Sequence, residues 1–186
     1  VNQAKTDTGA TLLYVAAWKG NLDVVRYLAG EAHADVNQAT ADSGCTTLHI
    51  AAKNGNLDVV RYLAGEVNAD VNQGRTNDGV TPLYIAAETG NLDVVRYLAG
   101  EAHADVNQAR TDNGYTPLYI ASANGNLDMV RYLAGEAHAN VNQAKTDTGA
   151  TLLYVAAWKG NLDVVRYLAG EAHADVNQAT ADSGCT

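Results

Sequence analysis

An all-α fold of stacked helix-turn-helix units is predicted by three observations. The sequence repeats every 35 residues; each repeat carries two short segments with apolar residues at helical spacing; and the stretches between them are rich in turn formers without sustained strand alternation. Repeats begin at Val1, Val36, Val71, Val106 and Val141 with the letters VNQ, and a sixth stops after VNQATADSGCT. Units 1–35, 36–70, 71–105, 106–140 and 141–175, with a partial unit 176–186, read as a single domain over residues 1–186. One unit cannot bury both faces of its helices alone, so it must stack on its neighbours.

Within a unit, ATLLYVAAWKG sets Leu13, Ala16 and Ala17 on one side of a first helix, with Thr11 as N-cap and Gly20 as terminator. Pro82 and Pro117 stand at the first helical position of their copies, where a missing N–H costs nothing. A second helix starts at Asn21, holds Asp23 in its first turn, and runs Leu22, Val25 and Leu28 as its apolar stripe. Gly30 is expected to weaken the last turn. The segment HANVNQAKTDTGAT, residues 138–151, dense in Asp, Asn, Thr and Gly, reads as an extended loop with a tight turn at its tip.

These residues carry a family resemblance. TPLYIAAETGNLDVVRYLAGEAHADVN, residues 81–107, resembles the ankyrin repeat, and a dozen positions match in register in every full unit. The family's usual His is kept only as His49 and is Tyr14, Tyr84, Tyr119 or Tyr154 elsewhere; Leu12, Thr47 and Leu152 replace its Pro; His33 stands where Gly is expected. Each unit also has two residues more than the usual thirty-three, one near the end of the second helix and one in the loop after VN. The resemblance implies an L-shaped unit of two antiparallel helices with a projecting hairpin-like loop, stacked into a curved ankyrin-like solenoid. It also implies that His49 hydrogen-bonds loop backbone within its own unit.

A formal charge of −9 and a pI near 4.8 argue against nucleic acid or an anionic membrane as partner, because both require clustered Lys and Arg. A basic or neutral protein partner fits better. No apolar run is long enough to span a bilayer, and the first residues lack the layout of a signal peptide, so the chain reads as intracellular and cytoplasmic. Cys45 and Cys185, without Cys-x-x-Cys spacing, suggest neither a disulfide framework nor structural zinc, and point to a reducing compartment. Residues 1–46 are identical to 141–186, which suggests recent duplication or an engineered array; a start at Val1 inside a unit suggests a fragment, a processed product or a designed chain.

Several local motifs mimic chemistry. Asp7-Thr8-Gly9-Ala10, repeated as Asp147-Thr148-Gly149-Ala150, resembles the active-site tetrapeptide of aspartic proteases. That dyad needs carboxylates about 3 Å apart, whereas helices packing at roughly 8–10 Å per repeat hold Asp7 and Asp147 about four spacings apart. The same slot reads Asp42-Ser43-Gly44, Asn77-Asp78-Gly79 and Asp112-Asn113-Gly114, which are turn formers. Glu31-x-His33 recurs, but histidines a repeat apart cannot share a zinc ion whose bonds are about 2.0–2.1 Å. Cys45 and Cys185, four repeats apart, lie beyond the roughly 7 Å Cα limit of a disulfide and read as free thiols. Asp23 with Arg26, and its copies, read as surface pairs along the second helix. No catalytic residue, cofactor or metal is expected.

Variation between units gives the positive indication. GNLDVVRYLAGE changes only at Met129, while differences gather in three places. The turn tip carries Asp7, Thr8, Ser43, Asp78 and Asn113; the position after its glycine carries Ala10, Cys45, Val80 and Tyr115; the end of the first helix carries Trp18, Lys19, Lys53, Asn54, Glu88, Asn124, Trp158 and Lys159. In proteins of the resembling family these positions line the concave face that grips partners, so a non-catalytic protein-interaction module or scaffold is expected. Trp18, Tyr115 and Trp158 are its aromatic anchors. Tyr27, Tyr62, Tyr97, Tyr132 and Tyr167, on the near-invariant second helix, are assigned to packing between repeats. The alternative is a structural array with no dedicated ligand, associating end to end because neither terminal unit has a polar outer face.

Overall fold

The computed structural model describes residues 9–145 and 148–178. Among them are ten α-helices and no strand. The chain divides into two compact units, Val1–Ala104 and Asp105–Thr186. In the first, α1 (Leu12–Trp18), α3 (Thr47–Lys53) and α5 (Pro82–Thr89) pack in succession as one layer, and α2 (Leu22–Arg26), α4 (Leu57–Arg61) and α6 (Leu92–Arg96) as a second. In the second, α7 (Pro117–Ala123) packs on α9 (Leu152–Trp158), and α8 (Leu127–Arg131) on α10 (Leu162–Gly170).

Each first helix begins as its letters require. The hydroxyls of Thr11, Thr46, Thr81, Thr116 and Thr151 accept the N–H three residues on, and Pro82 and Pro117 occupy the first helical position. The glycine after the helix, such as Gly90 at φ 80°, takes the left-handed conformation that ends it. Leu13, Ala16 and Ala17 are buried, as are Leu48, Ala51 and Ala52 in the next copy. The alanines let backbones approach, while each fully buried leucine contributes about 1.5–3 kcal/mol of transfer free energy.

The second helix departs from the single run read in the sequence. After five α-helical residues the chain widens into a π-helical turn at Tyr27–Glu31, Tyr62–Glu66, Tyr97–Glu101 and Tyr132–Glu136. The Ala32 N–H donates five residues back, to the Tyr27 carbonyl, at 2.8 Å. A π-turn is the form an α-helix takes when one residue is inserted, so the additional residue of this segment is absorbed inside the helix. In the last full repeat the same letters stay α-helical through Gly170. The helix then stops at His33, Asn68, His103, His138 or His173, all at positive φ of 52–56°. The left-handed cap is therefore built without glycine in every repeat.

Polar side chains join consecutive repeats. The Asn56 amide donates to the Ala17 carbonyl at 2.8 Å, Asn91 to Ala52 at 2.9 Å and Asn161 to Ser122 at 2.9 Å, so these three residues satisfy the open C-terminus of the first helix in the preceding repeat. In the loops, Asn37 Oδ1 accepts the Asp70 N–H at 2.8 Å, and Asn107 and Asn142 do the same for Asn140 and Asp175. Tyr62 and Tyr97, buried as assigned, place their hydroxyls on the carbonyls of Arg26 and Arg61. His49 does not stay within its unit: it also bonds Val80 in the next repeat. The surface pairing differs too, since Arg26, Arg61 and Arg131 face Glu66, Glu101 and Glu171 of the following repeat, while Arg166 faces its own Asp163.

Candidate functional site

Each loop folds back as a narrow hairpin-like turn. Thr40 N–H donates to the Cys45 carbonyl at 2.9 Å and Gly44 N–H to the Thr40 carbonyl at 3.0 Å; Arg75 with Val80, and Arg110 with Tyr115, repeat the closure. Gly44, at φ 68°, sits so close to the next loop that a Cβ there would collide with Thr76. The turn carboxylates are engaged locally. Arg75 binds Asp78 through two nitrogens, Arg110 Nη2 lies 2.6 Å from Asp112 Oδ2, and the Thr40 hydroxyl holds the Asp42 carboxyl below its usual range. Asp7, Thr8, Asp147 and Cys185 lie outside the described residues.

The residue after the turn glycine points inward in four repeats. Ala10, Cys45 and Val80, like Ala150, are buried, because the returning arm of the turn lies against the first helices of the stack. They shape the surface from beneath, and do not offer their own side chains to solvent as expected. Tyr115 is partly exposed and stacks on Tyr119 with ring centroids 4.3 Å apart, while Lys145 Nζ lies 5.1 Å from the Tyr115 ring. Ser43, Asp78 and Asn113 are partly exposed at the tips.

Helix ends stand in solvent. Trp18 is 49% exposed with Lys19 Nζ 4.3 Å over its ring, and Trp158 is 75% exposed and stacked on Tyr154. Lys53, Asn54, Glu88, Asn124 and Lys159 are exposed, and the Asn54 amide donates to the Trp18 carbonyl at 2.9 Å.

Between turn tips and first helices run two adjoining depressions in the first compact unit. One, of about 330 Å³, is lined by Ala10, Tyr14, Val15, Trp18, Thr40, Asp42, Ser43 and Ile50. The other, of about 200 Å³, is lined by Tyr14, Ser43, Cys45, His49, Ile50, Lys53, Arg75 and Ile85. Tyr14 and Ile50 belong to both. Burial raises the Tyr14 hydroxyl pKa, with Cys45 and Asp42 adding to the shift, so the group stays a neutral donor across physiological pH. The walls of the larger depression are mainly apolar, with Asp42 and Ser43 among its lining, whereas the smaller one is more polar, lined also by Lys53, His49 and Arg75.

Sequence reading missed Tyr14, Val15 and Ile50 as wall residues. The signal was present: Val15 and Tyr14 stand three and four residues before Trp18, on the helix face opposite Leu13, Ala16 and Ala17. Among the described residues no group of three or more His, Cys, Asp or Glu is placed to hold a metal ion. Nor is any helix there long and apolar enough to cross a membrane. Cys45 is a buried free thiol.

Paired helices, a projecting turn and contacts handed from one unit to the next define a repeat protein of the helical-solenoid class. The family model of ankyrin repeats matches residues 13–110 and 102–180, and the chain belongs to that family. Ankyrin repeats generally serve as protein-protein interaction modules and are typically non-catalytic. No curated protein matches the chain.

Proposed function

We propose that this chain is a non-catalytic interaction module that binds a protein partner along the side formed by turn tips and first-helix ends. The observation that supports this most is the apolar depression between Tyr14, Val15 and Ile50, closed at one end by the half-exposed Trp18 and edged by Asp42. Such a depression receives an apolar side chain, and its desolvated aromatic edge is where binding energy concentrates. The charge of −9 favours a neutral or basic segment of the partner. A buried free thiol at Cys45 supports a reducing, intracellular setting. The test is to select binders from a displayed protein library on the immobilised chain and titrate them against Trp18→Ala, Tyr115→Ala and Trp158→Ala. Loss of at least one of these rings is expected to weaken binding about tenfold or more; unchanged affinity in all three would refute this use of the surface.

A second reading, association of copies through the terminal repeats, is favoured by the exposure of Val24, Tyr27 and Leu162, at 46%, 56% and 56%. Among the described residues, these large apolar surfaces carry no polar cover of the kind that ends a repeat array.

A further inference from the structure

Inside each compact unit, one repeat meets the next through a fixed set of contacts. The tyrosine of the second helix is 8% exposed at Tyr62 and Tyr97 and 9% at Tyr167. Its hydroxyl reaches the preceding repeat's arginine carbonyl, at 3.4 Å for Tyr62 with Arg26 and 3.3 Å for Tyr97 with Arg61. That arginine's guanidinium covers the ring, at 5.6 Å for Arg26 and 5.5 Å for Arg131 with Tyr167. A glycine leaves the room: a Cβ on Gly30, Gly65 or Gly135 would come within 2.7, 2.7 or 3.0 Å of the tyrosine hydroxyl. The asparagine before the second helix lies over the preceding turn glycine and bonds the carbonyls beside it.

The fifth repeat has the receiving half of this junction and the first repeat has the inserting half. A Cβ on Gly160 or Gly170 would meet nothing within 4 Å. Arg166, without a following glutamate, turns to Asp163 at 3.8 Å. In the first repeat Tyr27 is 56% exposed and Val24 46%, against 1% for Val59, Val94 and Val164. Residues 1–35 and 141–175 are identical. The same 35 residues therefore already receive a neighbour, where α1 and α2 carry α3 and α4, and already seat on one, where α9 and α10 pack on α7 and α8.

We propose that the 186-residue chain associates head to tail, the first repeat of one copy seating on the fifth repeat of another in the register used between consecutive repeats. Tyr27 then enters the space beside Gly170, Asn21 bonds the carbonyls at the end of α9, and Glu31 faces Arg166, each contact having its counterpart inside the chain. This rests on the association reading and is independent of the partner surface. The contact joins unlike faces and leaves one of each free, so it propagates and does not close as a two-fold dimer. By register, residues 1–11 of the incoming copy and 176–186 of the receiving one are counterparts of one loop, and only one of them can take its place. The junction is accordingly weaker than those between covalently linked repeats, and it depends on concentration.

Light scattering over a concentration series tests this with the full chain, Tyr27→Glu, Gly170→Leu and an equimolar mixture of the two variants. For the unaltered chain the mean mass is expected to rise at least about twofold above the 19.5 kDa monomer. Each variant alone stays monomeric, because one has lost the inserting face and the other the receiving face. Their mixture retains one intact face of each kind and stops at the dimer. An unaltered chain that is monomeric throughout overturns both the proposal and the association reading. Association that persists in both variants overturns the register alone. If Gly170→Leu loses its native helical signal, Arg166→Glu, which sets like charge against Glu31, takes its place with the same expectation; if Tyr27→Glu does, Glu31→Arg, which sets like charge against Arg166, takes its place.

Discussion

The imidazole of His49 spans two repeats: the Thr46 N–H donates to Nδ1 at 3.2 Å, and Nε2–H reaches the Val80 carbonyl at 2.7 Å. A ring nitrogen that accepts from a backbone N–H cannot carry a proton, so the buried ring is neutral. Burial is the main cause that lowers its pKa from 6.5 to about 4, and the Val80 carbonyl opposes the shift. The folded pKa lies below the unfolded one. The stabilisation is therefore complete above pH 6.5 and lost as the pH falls toward about 4, because the unfolded chain takes up the proton first. Over that window the loss is on the order of 3 kcal/mol. Urea midpoints measured from neutral to acid pH check this, and His49→Gln is expected to flatten the dependence in that window while lowering stability at neutral pH.

The side chain of Asn91 donates to the carbonyls of Ala52 and Lys53, both at 2.9 Å. Asn91→Ala leaves the end of α3 short of donors and is expected to cost about 1–2 kcal/mol. Asn21 occupies the same position in the first repeat, with no repeat before it among the described residues, and Asn21→Ala is expected to cost under about 0.5 kcal/mol. Chemical denaturation of the two variants side by side measures the difference.

His103 holds φ at 55° without the freedom of glycine. His103→Gly relieves a left-handed strain of about 1–2 kcal/mol and gives back part of it as unfolded-chain entropy, for a net gain of roughly 0.5–1 kcal/mol. Asn68, at φ 53°, belongs to a residue type that tolerates this conformation, so Asn68→Gly is expected to change little. Thermal melts of both variants decide whether the histidine ladder is under backbone strain.

What the sequence disclosed followed range. Threonine caps, prolines at the first helical turn and glycine stops act within four residues, and all were readable from the letters. Tyr62, Tyr97, Tyr132 and Tyr167 were assigned correctly to packing, because identical neighbours must meet identical surfaces, whereas Tyr27 of the first repeat, assigned with them, is 56% exposed. Contacts between repeats were hidden: Asn56 and Asn91 looked like the start of their own helix and instead finish another one, and the second ring nitrogen of His49 finds its partner 31 residues away. Of the candidate surface, Trp18 and Trp158 were legible as exposed rings. Ala10, Cys45 and Val80 were not legible as buried, since the inward turn of the returning arm depends on the helices behind it. His33 stood out in the sequence as a missing glycine, but only the backbone shows that the left-handed cap survives the replacement.

Tyr-Leu-Ala-Gly-Glu forms a π-turn in four repeats and runs on as α-helix through Gly170 in the fifth, where the Ala172 N–H still keeps the same bond to the Tyr167 carbonyl, at 2.9 Å. Gly30, Gly65 and Gly135 lie within such turns, each facing a neighbour's tyrosine, while Gly170 faces open space. Amide exchange or carbonyl chemical shifts at Tyr167–Glu171 would report whether anything has settled on that end, without any label and without reference to the mass of what settled there.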